Sequence, residues 1–395
     1  MPDTRTEISS HSNISTEKLL ESACKECGLT DFGNERFLAP LNVLVDSMNS
    51  EACLSPAGIA SQSARLVNSL MNRLRKVEFL KRYPEVLDEE IDVGAVIVGL
   101  PRTGSTMLQR LLASSPNLTA TRWWETIFPM PVSDDKATDS GTRIQMAEDL
   151  VKTILEDAKD FDSIHPLNAT AYDEELTLIE HSFMSNMPES MMYVPTYGKW
   201  LLEADQSHAY NELIEYLKIL QWQKPARRKQ KWVLKSPHHL TALPTVLKAF
   251  PNALIIMTHR NITDVLPSWY SMVGSLTMAN TTADKLTQAQ AKHWTQRLDL
   301  NLQSFLQMRD SADDRFLDLH YLDLLKNPVD SCLKIFDKIG WPIEEGDLSA
   351  FKDHLSQNTR DNRPKHVYDI SDYDMTLDTI REQFSYYENF IGPAN

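Results

Sequence analysis

Apolar positions along this chain follow two periods, and the switches between them sketch its elements. In the first 90 residues they recur at three- and four-residue spacing. This predicts helices near 16–27, 35–49 and 55–83, the last opening on Ser55-Pro56 in the N-cap and N1 order that favours a helix start. Ala95-Val-Ile-Val98 breaks the pattern with a short, mostly β-branched run, as a strand buried on both faces requires. Met107–Ala113 returns to helical spacing. Trp232–Lys235 and Ala253–Thr258 are two further strand-like runs, each leading into a polar turn and then a helical stretch, over 240–250 and from 262. More helices are predicted near 143–159, 172–186, 207–224, 283–310, 328–339 and 372–391, with a polar loop at 131–142. Strands alternating with helices predict an α/β fold: a parallel β-sheet flanked by helices on both faces, with any ligand at the C-terminal strand ends. On this map residues 1–90 are a helical N-terminal extension. Residues 91–395 form the α/β domain, with a helical insertion at about 131–225 between its first two strands.

The segment Gly99-Leu-Pro-Arg-Thr-Gly-Ser-Thr106 carries the most chemistry. A strand feeding a Gly/Ser/Thr turn that opens a helix aims several backbone N–H groups and a positive dipole end at one spot, which suits an anion. Its spacing nearly matches the nucleotide-triphosphate loop G-x-x-x-x-G-K-[ST], but Ser105 stands where the lysine belongs and the cation is Arg102, inside the loop. Phosphoryl transfer needs that lysine on the β- and γ-phosphates. A divergent kinase or NTPase using ATP and Mg²⁺ is therefore the alternative reading.

Pro101-Arg-Thr-Gly-Ser-Thr106 resembles the 5′-phosphosulfate loop of sulfotransferases that use 3′-phosphoadenosine 5′-phosphosulfate (PAPS), and is closest to the protein-tyrosine type. Arg260, after the third strand, and Ser268, eight residues on, match the pair that holds the 3′-phosphate in that family. His320-Tyr321-Leu-Asp-Leu resembles its Tyr-x-Asp-Leu segment, where the tyrosine lies near adenine. The resemblance covers roughly residues 92–345. It implies a P-loop NTPase-like sulfotransferase fold, PAPS as donor, the bisphosphate PAP as product, no metal, and a small-molecule hydroxyl as acceptor. It assigns Arg102, Thr103, Gly104, Ser105, Thr106, Arg260, Ser268 and Tyr321 to the cofactor, with Arg363 or Lys365 of a late basic cluster closing the 3′-phosphate site.

Sulfuryl transfer needs a base for the attacking hydroxyl, a cation over the bridging oxygen and donors around the sulfonate. Lys235, ending the second strand beside the loop, is the expected cation. The base stays open. His238 and His239 follow the second strand, where small-molecule sulfotransferases place a histidine. Glu125, in Arg122-Trp-Trp-Glu-Thr126, matches the glutamate of the protein-tyrosine type, and Glu174 is a further choice. For the acceptor, Phe183, Met184, Met187, Met191, Met192, Tyr193, Tyr197 and Trp200, with Trp123, Trp124, Phe128 and Met130, suit either a lipophilic alcohol or phenol pocket or plain core packing.

Composition narrows the partners. A net charge of −15 argues against nucleic acid and anionic membrane surfaces. No apolar run reaches the roughly 20 residues of a membrane span. Without a signal-peptide core after Met1, the expected location is cytoplasmic. Cys24-Lys-Glu-Cys27 lacks a second ligand pair, so no zinc site is expected. The extension is free to cover the acceptor or to form a contact in a homo-oligomer.

Overall fold

The structure is a computed structural model that describes residues 13–132, 139–157, 167–283, 286–309, 313–358 and 370–392. Five parallel strands, β1 (Val93–Ile97), β2 (Leu118–Thr119), β3 (Lys231–Lys235), β4 (Leu254–His259) and β5 (Phe316–His320), form one sheet in the order β2-β3-β1-β4-β5. Helices α1 (Thr16–Cys27), α2 (Leu38–Glu51) and α3 (Pro56–Arg82) precede it, and α4 (Ser105–Leu112) joins β1 to β2. Between β2 and β3 lie α5 (Trp123–Ile127), α6 (Asp139–Asp157), α7 (Leu176–Glu180), α8 (Met187–Met191), α9 (Pro195–Glu203) and α10 (Ser207–Gln223). Next come α11 (His238–Thr241) and α12 (Leu243–Ala249), then α13 (Ile262–Asn280) and α14 (Leu286–Met308) after β4. After β5 follow α15 (Tyr321–Lys326), α16 (Pro328–Lys338), α17 (Glu345–Gln357), α18 (Leu377–Gln383) and α19 (Ser385–Ile391).

Successive strand residues point to opposite faces, and here both faces are apolar. Val96, Leu234, Ile255 and Met257 enter one core with Leu41 and Leu44 of α2, Leu66, Leu70 and Leu74 of α3, and Tyr216 of α10. Their neighbours Ala95, Ile97, Val233, Leu254 and Ile256 enter the other, with Leu108 of α4, Ile335 and Phe336 of α16 and Phe351 of α17. The N-terminal helices thus cover one sheet face and share its core. Among the described residues, no helix is long and apolar enough to cross a membrane.

Some sequence expectations fail locally. The helix expected over 172–186 is present only as α7, because Phe183 takes a left-handed φ of 59° and the chain turns there. Phe183, Met184, Met192 and Tyr197 are core residues, so for them the packing alternative holds. The helix expected over 372–391 is two, α18 and α19, meeting at Phe384. The edge strands β2 and β5, and helices α9 and α17, are additions to the sequence map.

Candidate active site

The loop after β1 is held by close packing that dictates its small residues. Val98 N–H makes the last sheet bond, to Ile256 O at 2.9 Å. A Cβ on Gly99 would stand 1.9 Å from Thr258 Oγ1, so only glycine lets the loop cross β4 here. Thr103 is fully buried, and its hydroxyl lies 2.6 Å from both Leu100 O and Thr258 Oγ1, which fixes the loop. Arg102 (φ 66°) and Gly104 (φ 84°) are left-handed, and Gly104 caps α4. The N–H groups of the first turn of α4 and the positive end of its dipole therefore face the loop.

The residues expected at a 3′-phosphate converge beside it. Arg102 Nε donates to Ser268 Oγ at 3.0 Å, and Arg260 Nη1 donates to Arg102 O at 3.0 Å. The Arg260 guanidinium lies 4.5 Å above the Tyr321 ring, and that ring meets Gly104 so closely that an added Cβ would be 3.0 Å from Tyr321 Cδ2. Among the described residues Arg260 Nε makes no hydrogen bond, and Asp264 Oδ2 stands 3.6 Å from it as an ion-pair partner. The Arg260 side chain, 22% exposed at the edge of the loop, suits an anionic ligand there. The C-terminal helix braces the junction that carries Arg260: Tyr387 Oη lies 3.0 Å from His259 Nδ1, and Glu388 Oε1 accepts the Ile262 N–H at 2.9 Å. Arg363 and Lys365 lie outside the described residues.

Lys235 reaches the loop from β3, in register with Ile97 of β1. Its Nζ donates to Thr106 Oγ1 at 3.1 Å and to Glu174 Oε2 at 3.2 Å, and its side chain is 3% exposed. Glu174 keeps a quarter of its side chain exposed. Burial raises its pKa above the ordinary carboxyl value; the Lys235 charge opposes this and the Asp173 and Glu175 charges add to it.

The other candidate bases sit elsewhere. Glu125 is buried, accepts the Arg122 N–H at 2.8 Å, and pairs with buried Arg227 at 2.7 Å, so its carboxylate caps α5 and neutralises a cation. It also lines a cavity of about 330 Å³ with Arg122, Trp124, Arg143, Ile144 and Leu220. His239 is fully buried, with Nε2 on Glu175 and Nδ1 2.7 Å from Tyr210 Oη, so both ring nitrogens are engaged. His238 is fully buried too, and among the described residues neither ring nitrogen has a hydrogen-bond partner. Burial, then the neighbouring His239 and Arg297, pulls its pKa well below the usual value.

Residues 95–345 match the sequence model of the sulfotransferase family. The chain belongs to the sulfotransferase family. The sulfotransferase STF1 of Mycobacterium tuberculosis has a similar structure, with a TM-score of 0.82 at 26% identity, over 95% of this chain and 99% of that one. The fold is also shared with sulfotransferase STF9 of Mycobacterium avium, at a TM-score of 0.81 and 22% identity, over 96% and 97% of the two chains. No curated protein sequence matches this sulfotransferase. Of the carboxylates the sequence offered, Glu174 is the one that the fold of this sulfotransferase sets against Lys235. Its sequence signal is faint: an acidic run, Asp173-Glu-Glu175, at the head of a buried apolar stretch.

Proposed function

We propose that this sulfotransferase moves the sulfuryl group of PAPS to a hydroxyl of a small alcohol or phenol, with Glu174 as the general base and Lys235 as the cation at the leaving oxygen. The observation that carries this is the Lys235 ammonium held between Thr106, on the first turn of α4, and the partly exposed Glu174. PAPS supplies an activated sulfuryl group and a bisphosphate leaving group. Arg102 and the N–H groups of Ser105 and Thr106 suit its 5′ end, Arg260 and Ser268 its 3′-phosphate, and Tyr321 its adenine. The raised pKa makes Glu174 a stronger proton acceptor than an exposed carboxylate, while Lys235 beside it favours the ionised form that accepts. The Lys235 ammonium offsets charge developing on the departing oxygen, and at 3% exposure little water competes for it.

For the acceptor's body, the cavity beside α5 offers an apolar wall of Trp124, Ile144 and Leu220. Thr170, which lines it, is four residues from Glu174, at most about 14 Å of extended chain. Ser105 in the lysine position speaks against the ATP–Mg²⁺ alternative.

The test is a thermal-shift titration with 3′,5′-adenosine bisphosphate, run beside ATP with Mg²⁺ and 5′-AMP. A ligand bound only by the native state raises the midpoint as RT ln(1 + [L]/Kd). Stabilisation by the bisphosphate, lost in Arg260→Ala, is expected. Stabilisation only by ATP with Mg²⁺ would overturn the proposal.

A further inference from the structure

β2 is only two residues long, and this leaves a gap beside β3 at the catalytic end of the sheet. In a parallel strand the N–H groups of alternate residues point to the same neighbour. The Trp232 N–H bonds Asp92 O and the Ser236 N–H bonds Ile97 O, both on the β1 side, while the Lys231 N–H bonds Asn117 O on the β2 side. The Lys235 N–H therefore faces β2, whose last paired residue, Thr119, is level with Trp232. Among the described residues, the sheet offers Lys235 no acceptor on that side.

Glu175 fills the gap. Both its carboxylate oxygens stand 3.1 Å from Lys235 N, and the residue is fully buried. Oε1 also meets His239 Nε2 at 2.5 Å, and His239 Nδ1 meets Tyr210 Oη at 2.7 Å. The backbone of Glu175 is anchored as well, its carbonyl accepting the Leu178 N–H at 2.9 Å at the head of α7. Adjacent glutamates thus hold the two ends of one lysine: Glu174 meets the ammonium and Glu175 the backbone amide. A chain of buried hydrogen bonds then runs from Lys235 through Glu175 and His239 to Tyr210 on α10. It joins strand, insertion and helix without reaching solvent.

We infer that Glu175 is a positioning residue for sulfuryl transfer: through the Lys235 amide it fixes where the Lys235 ammonium stands, and His239 and Tyr210 fix Glu175 in turn. This rests on the proposed function, in which Lys235 acts on the leaving oxygen. It also gives His239 a role different from that of a base. A buried network with every member satisfied is rigid, and small displacements of a catalytic group are costly to rate.

The test is a double-mutant cycle with Glu175→Gln and Lys235→Ala, following bisphosphate release from PAPS with 2-naphthol or water as acceptor. Bisphosphate affinity is measured alongside by titration. Glu175→Gln is expected to lower kcat about 10- to 100-fold, with bisphosphate Kd changed less than about twofold, since Arg102, Arg260 and Ser268 are untouched. In the Lys235→Ala background the same substitution is expected to change kcat less than about twofold, because the group it positions is gone. A merely structural role would lower kcat by the same factor in both backgrounds, and that result overturns the inference. So does near-full kcat in Glu175→Gln. Should Glu175→Gln not fold, Tyr210→Phe, which removes only one hydroxyl from the chain, is expected to show a smaller kcat loss with the same split. Undiminished kcat there also overturns it. Failure of the unmodified chain to bind the bisphosphate and release it from PAPS would instead refute the proposed function, and this inference with it.

Discussion

Replacing Glu125 with glutamine separates one base that the sequence offered from the one proposed at the loop. Glu125 and Arg227 form an ion pair at 2.7 Å with side chains only 6% and 1% exposed. Glutamine keeps the shape and one acceptor but leaves the Arg227 guanidinium buried without its countercharge. Breaking a buried pair on one side typically costs about 3–5 kcal/mol. The lower end applies here, because Arg227 retains Thr119 Oγ1, Ala120 O, Leu220 O and the Trp232 ring. With an unfolding entropy near 2.1 cal/mol/K per residue over the 395 residues, about 3 kcal/mol lowers Tm by about 4 °C. Calorimetry with and without bisphosphate gives this shift, and kcat is read per folded molecule. The expected result is a clear loss of stability with kcat within about threefold of the parent. A fall of about 100-fold in kcat at unchanged Tm would make Glu125 the base and refute the reasoning.

Glu174→Gln should do the reverse, lowering kcat about 100-fold with little change in Tm. In the parent, the acid limb of kcat should lie above the ordinary carboxyl pKa of 4.5, because a base with a raised pKa loses its ionised form at a higher pH; a limb at or below that value would contradict the assignment. Ser268→Ala removes the hydroxyl 3.0 Å from Arg102 Nε and should raise the bisphosphate Kd about tenfold, roughly one hydrogen bond to a charged group, measured by calorimetric titration. His181 is fully buried, and burial lowers its pKa to about 4 from 6.5. As pH falls, the unfolded chain therefore takes up the proton first. The stability this residue secures is complete above pH 6.5 and is lost towards pH 4, amounting to about 3 kcal/mol. Urea midpoints across that range should fall less steeply in His181→Leu than in the parent, and identical slopes would refute it.

What the sequence made legible is what short-range chemistry dictates. The apolar runs at 95–98, 232–235 and 253–258 have no amphipathic alternative, and β1, β3 and β4 lie there. The loop glycines announce backbone geometry, and the structure shows contacts at Gly99 and Gly104 that a Cβ could not make without displacing its neighbours. Arg260 and Ser268 both meet Arg102, because a strand end and the first turns of the following helix lie side by side. Which of the candidate bases stands near Lys235 was harder to read, since the place of a side chain depends on distant partners. Glu125 matched a family glutamate in its motif, but Arg227, 102 residues away, uses its charge. His238 and His239 follow the strand as expected, and the chain then turns both into the core. Glu174 and Glu175 are adjacent in sequence, and only the fold shows that one meets the Lys235 ammonium and the other its amide.

The proposed sulfuryl transfer is measured most directly by release of 3′,5′-adenosine bisphosphate from PAPS by the purified chain, with a panel of phenols and alcohols, for the parent and for Lys235→Ala. Acceptor-dependent release, lowered about 100- to 1000-fold by Lys235→Ala while bisphosphate still binds, is the predicted result. Release that is unchanged by that substitution would contradict the role assigned to Lys235 and the mechanism built on it.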